Sequence, residues 1–148
     1  MSITTIRVAK LNVVPVAESY AIALSFDASE DLVQGTLVKI DAAGTVSPVA
    51  NDGSELPLGI VTRGSQSHVY EGKATVLTNF AAVLNVTASG AVAIGDKVIF
   101  ESQDAATKEV AYKTTTTAGN IAAGIALSAG ADGATVQIGI LRTPYTLV

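Results

Sequence analysis

One short β-module is written twice along the chain. The first copy reads Val33-Gln34-Gly35-Thr36-Leu37-Val38, then Gly59-Ile60-Val61, then Gly72-Lys73-Ala74-Thr75-Val76-Leu77. The second reads Ala93-Ile94-Gly95-Asp96-Lys97-Val98, then Gly124-Ile125-Ala126, then Gly133-Ala134-Thr135-Val136-Gln137-Ile138. Each copy has a Gly turn into a strand, a returning strand opened by Gly, and a closing strand around Ala-Thr-Val. A module repeated in the same order restricts a chain to architectures that can accept the same supersecondary unit twice. The unit holds no catalytic-looking group, so it reads as a building element.

Turn chemistry marks the joints. Gly35, Gly44 and Gly95 supply the positive φ that tight turns need, and Asp132-Gly133 is a strong hairpin dipeptide. Asp96, and Thr36 at the matching place, can accept a hydrogen bond from nearby backbone N–H groups, a turn-stabilising role. Gly59, Gly124 and Gly139 fall inside apolar strands, where glycine marks a bulge or a close backbone approach. Tyr20, Ile22, Leu24 and Phe26 alternate with small residues, the period of a half-buried strand. Lys73–Thr78 and Ala81–Val86 read as consecutive strands separated near Asn79. No helix longer than about two turns is predicted. The expected fold is all-β: a compact barrel or sandwich built from two pseudo-repeated hairpin modules. The modules span about residues 32–78 and 92–141 of a single domain covering 17–148. The two copies are expected to give one equivalent hairpin each to a single closed core.

Residues 1–16 differ in character and read as an extended N-terminal arm. Pro15 cannot donate to a sheet ladder, so the arm is an edge strand or a free extended segment. Ile3, Ile6, Arg7, Val8, Lys10, Leu11 and Val13 are its candidate contact residues, apolar with two basic side chains among them.

Composition bounds the function. Of the 148 residues, 49% are apolar and only 15% charged, against roughly 25% charged in an average soluble domain. That shortage of charge predicts extensive subunit or partner contact alongside a bland Ala/Thr exterior. No run of apolar residues is long enough for a spanning helix. The N-terminus lacks the basic-then-apolar order of a secretory signal, so synthesis in the cytoplasm is expected. The absence of cysteine removes disulfides and thiolate chemistry. A net charge of −4 with 9 scattered basic residues argues against nucleic-acid binding.

The search for chemistry finds little. His68 is the single histidine, too few for a two-His metal site, and it sits in a Ser-rich loop. A base acting on Ser65 or Ser67 would lack the Gly-x-Ser-x-Gly elbow. Glu30 and Asp31 are adjacent and point apart. Asp52, Ser54 and Glu55 crowd one loop without the ligand count of a calcium site. Asn85-Val86-Thr87 matches a glycosylation triplet, but no signal peptide accompanies it. Tyr20, Tyr70, Tyr112 and Tyr145 are too dispersed for a stacking platform. No enzyme, cofactor or metal is expected.

The order of Gly-led strands around Gly35 and Gly59, followed by Ala91-Val92-Ala93-Ile94-Gly95-Asp96-Lys97-Val98 and a second round, resembles tailed-phage capsid decoration proteins. These are also called head-stabilising or cement proteins. The likeness covers about residues 32–141. It implies a virion protein, commonly a homotrimer, made in the host cytoplasm and seated on the outer surface of an icosahedral capsid. It further implies that the protein binds the major capsid protein, with the arm residues Ile3 to Val13 as its contacts. The chain departs from smaller decoration proteins in length and in the extra strand Tyr20–Phe26. A head-fibre base, a tail or spike domain, and a ligand-binding β-module are the alternatives.

Overall fold

The computed structural model describes residues 13–15, 22–65, 72–78 and 82–148. Among them the fold is all-β, in two sheets. The first sheet holds β2 (Ile22–Asp27), β3 (Leu37–Ile40), β4 (Val46–Pro48), β5 (Gly59–Arg63) and β6 (Lys73–Thr78), in the order β2-β6-β5-β3-β4. The second holds β1 (Val13–Pro15), β7 (Ala82–Ala88), β8 (Lys97–Gln103), β9 (Val110–Thr114), β10 (Ile121–Ala126) and β11 (Thr135–Thr146), in the order β1-β7-β11-β10-β8-β9.

Each sheet curls round and closes on itself. In the second, β9 runs parallel to β7 through Thr87–Ala111 and Ala88–Tyr112. In the first, a single parallel bridge joins Ala28 to Val46. The two closures are the same joint: Ser29 N–H donates to Val46 O at 3.0 Å, and Ser89 N–H to Tyr112 O at 2.9 Å. The repeat therefore builds two small closed sheets, one per copy, instead of one shared barrel.

The registers repeat as well. Val38 pairs with Gly59 and Pro48, as Val98 pairs with Gly124 and Thr114. Gly35 N–H donates to Val61 O and Gly95 N–H to Ala126 O, at 2.7 and 2.8 Å. Both glycines have φ near +90° (91° and 90°), which makes the two turns equivalent as the sequence predicts. The shared Ala-Thr-Val strings are not equivalent. Ala74 lies opposite Phe26, and its structural counterpart is Val136, opposite Val86. A slip of two residues preserves which face is buried, so the sequence can drift without cost to the core.

The repeat also starts earlier than residue 32. β2 pairs with β6 as β7 pairs with β11, so Ile22–Asp27 is the first-copy counterpart of β7. Its alternation does not make it half-buried: Ile22 and Leu24 are exposed at 49% and 46%.

Two apolar clusters fill the interior. One lies inside the first sheet, from Leu32, Val38, Val46, Val61, Ala74 and Val76. The other fills the second sheet and extends to Val33, Leu37, Val49, Ile60 and Leu77 of the first. Neighbours such as Leu37/Val38, Ile60/Val61 and Val76/Leu77 thus bury opposite faces of one sheet in two different cores. A sheet covered on both faces loses the polar alternation of a solvated one. Much of the low charge of the sequence follows from this stacking.

Candidate interaction surface

Polar side chains hold the joint between the copies. Gln103, at the end of β8, accepts from Val33 N–H and from Thr36 Oγ1, both at 2.7 Å, and donates from Nε2 to Asp31 O at 2.8 Å. The Tyr112 hydroxyl donates to Gly35 O at 3.1 Å, and burial raises that phenol's pKa well above its ordinary value. Ile121 N–H donates to Gly53 O at 2.7 Å. Thr36 therefore spends its hydroxyl on Gln103, whereas Asp96 caps its own turn by accepting from Ala93 N–H at 2.9 Å. Sequence reading did not single out Gln103, because its partners lie some 70 positions away, as in its bond to Val33.

Gly44 and Gly133 have φ of 81° and 80°, and Asp132 accepts from Gly90 N–H at 2.8 Å. Gly59 and Gly124 mark close approaches: a Cβ on either would stand 2.1 Å from Leu77 O or 2.6 Å from Gly139 O. Gly139 itself is roomier, with Leu127 as its nearest neighbour at 3.5 Å.

Of the predicted arm contacts, only Val13 lies within the described residues. It pairs with Leu84, and Pro15 with Ala82, placing β1 antiparallel beside β7 at Ala82–Leu84, ahead of the β9 contact at Thr87 and Ala88. That matches an edge strand tolerant of proline. Ile3, Ile6, Arg7, Val8, Lys10 and Leu11 lie outside the described residues, as do His68 and Ser67.

The groups tested for chemistry are tied into structure. Ser65 is buried; its hydroxyl accepts from Leu32 N–H at 2.8 Å and donates to Glu30 O at 3.2 Å. Asp52 accepts from the Ser54 hydroxyl at 2.6 Å and its N–H at 3.0 Å. Glu55 pairs with Lys39 and accepts from Ala50 N–H. No cluster of three metal-ligating groups occurs among the described residues. An open cleft of about 610 Å³ lies at the joint, lined by Asn51, Asp52, Ser54, Lys113, Thr116 and Asn120. Lys113 there is paired with Glu101, and Asn120 Nδ2 donates to Thr115 at 2.7 Å. Such a hydroxyl- and amide-rich wall can hydrogen-bond a partner, but it sets no base beside a nucleophile among the described residues.

The hydrogen bond from Lys39, then that from Ala50 N–H, and lastly the Lys39 charge hold the Glu55 carboxyl below its ordinary value of 4.5. A carboxylate with a depressed folded pKa stabilises above its unfolded pKa, and that stability is lost as pH falls through the folded value. Urea titrations between about pH 6 and pH 3 should show the protein weakening with acid. Glu55→Gln should flatten part of that slope, and an unchanged slope would show that Glu55 contributes nothing to it.

No family model matches the sequence, and no curated protein is similar to it. Among solved structures, the crystal structure of the N base of head fibre gp8.5 from bacteriophage phi29 superposes with a TM-score of 0.57. The fold is shared. The match covers 84% of this chain and 98% of that one at 16% identity, so it extends into both copies of the repeat. At that identity the likeness speaks for architecture alone.

Proposed function

We propose that the chain is a structural protein of a tailed-phage virion that binds the outside of the head through the major capsid protein. The observation that carries this reading is the architecture shared with a phage head-fibre base over most of both chains. The doubled, Gly-turned β-module and its resemblance to decoration proteins support it from the sequence side. The polar groups are absorbed into turns and the inter-copy joint, consistent with a building role. Upstream of the β1 pairing that begins at Val13, the N-terminal arm from Ile3 adds as a strand to a capsid sheet edge, where main-chain hydrogen bonds give affinity and side-chain pockets give specificity. A ligand that binds only the native shell stabilises it by mass action.

Head-fibre base is the second reading, favoured by the same structural match. The two differ in effect on the shell. A decoration protein raises the capsid's resistance to heat or osmotic shock, while a fibre base binds without doing so.

Co-sedimentation with mature capsids of the encoding phage tests the shared claim. The full chain should saturate them, and deletion of Met1–Lys10 should leave a folded protein that does not. Full occupancy by the truncated form would remove the arm from the account.

A further inference from the structure

The joint within the chain has two sides, and the repeat leaves a second copy of each side uncovered. On one side, the outer face of the first copy, with Val33, Leu37, Ile60 and Leu77, shares a single apolar cluster with Leu84, Phe100, Val110 and Ile140 of the second. The Gly35 turn is buried there, its Cβ position 3.7 Å from Val110 Cγ2. The receiving side includes Ala82, Leu84 and Phe100, all buried.

Register identifies the equivalents. Ala82 and Leu84 lie opposite Ile140 and Ile138, as Ile22 and Leu24 lie opposite Thr78 and Val76; Phe100 pairs with Tyr112 as Ile40 pairs with Val46. In the first copy these receiving positions are open: Ile22, Leu24 and Ile40 are exposed at 49%, 46% and 50%. The equivalent of the buried Gly35 turn is likewise open. Ile94, beside Gly95, is 71% exposed, and Leu127, next to the Ala126 that accepts from Gly95, is 48% exposed. Large aliphatic side chains thus stand in water at both ends of the tandem, at positions matching an interface the molecule already makes.

We propose that copies of this chain associate head to tail, the Ile94–Leu127 face of one molecule seating on the Ile22–Leu24–Ile40 face of the next. The contact repeats the internal joint between chains. It is heterologous, so it closes into a ring or continues as a filament according to its rotation. Lys97 stands where the internal joint has Leu37, as Val98 and Val38 show by their pairings. Its stem can cover apolar surface while the ammonium stays wet. The contact between chains is accordingly more polar than the one within.

Sedimentation velocity over a concentration series, without capsids, tests this independently of the virion reading. The wild-type chain should assemble beyond a monomer. Leu24→Glu and Ile94→Glu should each weaken association by about 30-fold or more, the scale of an interface hot spot, with unchanged far-UV circular dichroism. Mixed in equal amounts, the two variants should form a 1:1 dimer and nothing larger, since one intact joint remains between them. Ile40→Glu with Leu127→Glu forms a second pair, should either first variant fail to fold. A monomeric wild type, a mixture that stays monomeric, or an Ile94→Glu chain that assembles like wild type would overturn the proposal.

Discussion

Gly59→Ala should destabilise the protein by about 3 kcal/mol or more, the upper range for overpacking a rigid site. The new methyl would stand 2.1 Å from the Leu77 carbonyl oxygen and 3.0 Å from Val76 Cγ1. A backbone oxygen in a paired strand cannot swing aside as a side-chain tip can. Relief requires parting β5 from β6, whose pairing carries Ile60 and Val61 into two different cores. Gly124→Ala should act in the same direction with a smaller effect, its Cβ falling 2.6 Å from Gly139 O. Gly44→Ala provides the contrast. Nothing lies within 4 Å of a Cβ there, and the φ of +81° is the remaining penalty, about 1–2 kcal/mol for a non-glycine residue. Urea unfolding of the three variants gives the order, and a Gly59→Ala protein as stable as Gly44→Ala would refute the close approach.

Gln103→Ala should cost about 2–4 kcal/mol, because it leaves buried donors without an acceptor. Val33 N–H and Thr36 Oγ1 both use the Gln103 Oε1, and both residues are buried. Gln103→Glu keeps that oxygen but loses the donation to Asp31 O and sets a carboxylate against a carbonyl. It should fall between wild type and Gln103→Ala. Amide exchange separates this loss from general weakening: Val33 N–H should lose protection, while ladder amides such as Ile138 fall only with global stability. A Gln103→Ala change below about 0.5 kcal/mol, the level of an ordinary surface substitution, would show that the joint rests on its apolar contacts alone.

Legibility in the sequence followed how local the cause was. Gly35, Gly44, Gly95 and Gly133 declare themselves because positive φ is a property of one residue and its turn. Asp96 likewise caps a turn within three positions. Ile22, Leu24 and Phe26 announce a strand by period, but period does not say what covers a face. The first copy's strand is open at the very positions where β7 is buried, a difference set by stacking the two sheets. The kinship of Ile22–Asp27 with Ala82–Ala88 was hidden because only alternation, Leu24/Leu84 and Ala28/Ala88 survive between them. The Ala-Thr-Val strings misled for the opposite reason, being alike in letters but two residues apart in register. Gln103 carried no signal at all. A polar residue ending a strand is ordinary until tertiary contact brings Asp31, Val33 and Thr36 to it. The predicted binding arm is placed only through Val13–Pro15 on β7.

Cryo-electron microscopy of virions carrying this chain decides whether it sits on the head. Paired closed-sheet units should stand on the outer surface of the head, each reached by an N-terminal arm that joins the major capsid protein. Heads bare of such density, or the same units found only on the tail, would contradict that placement.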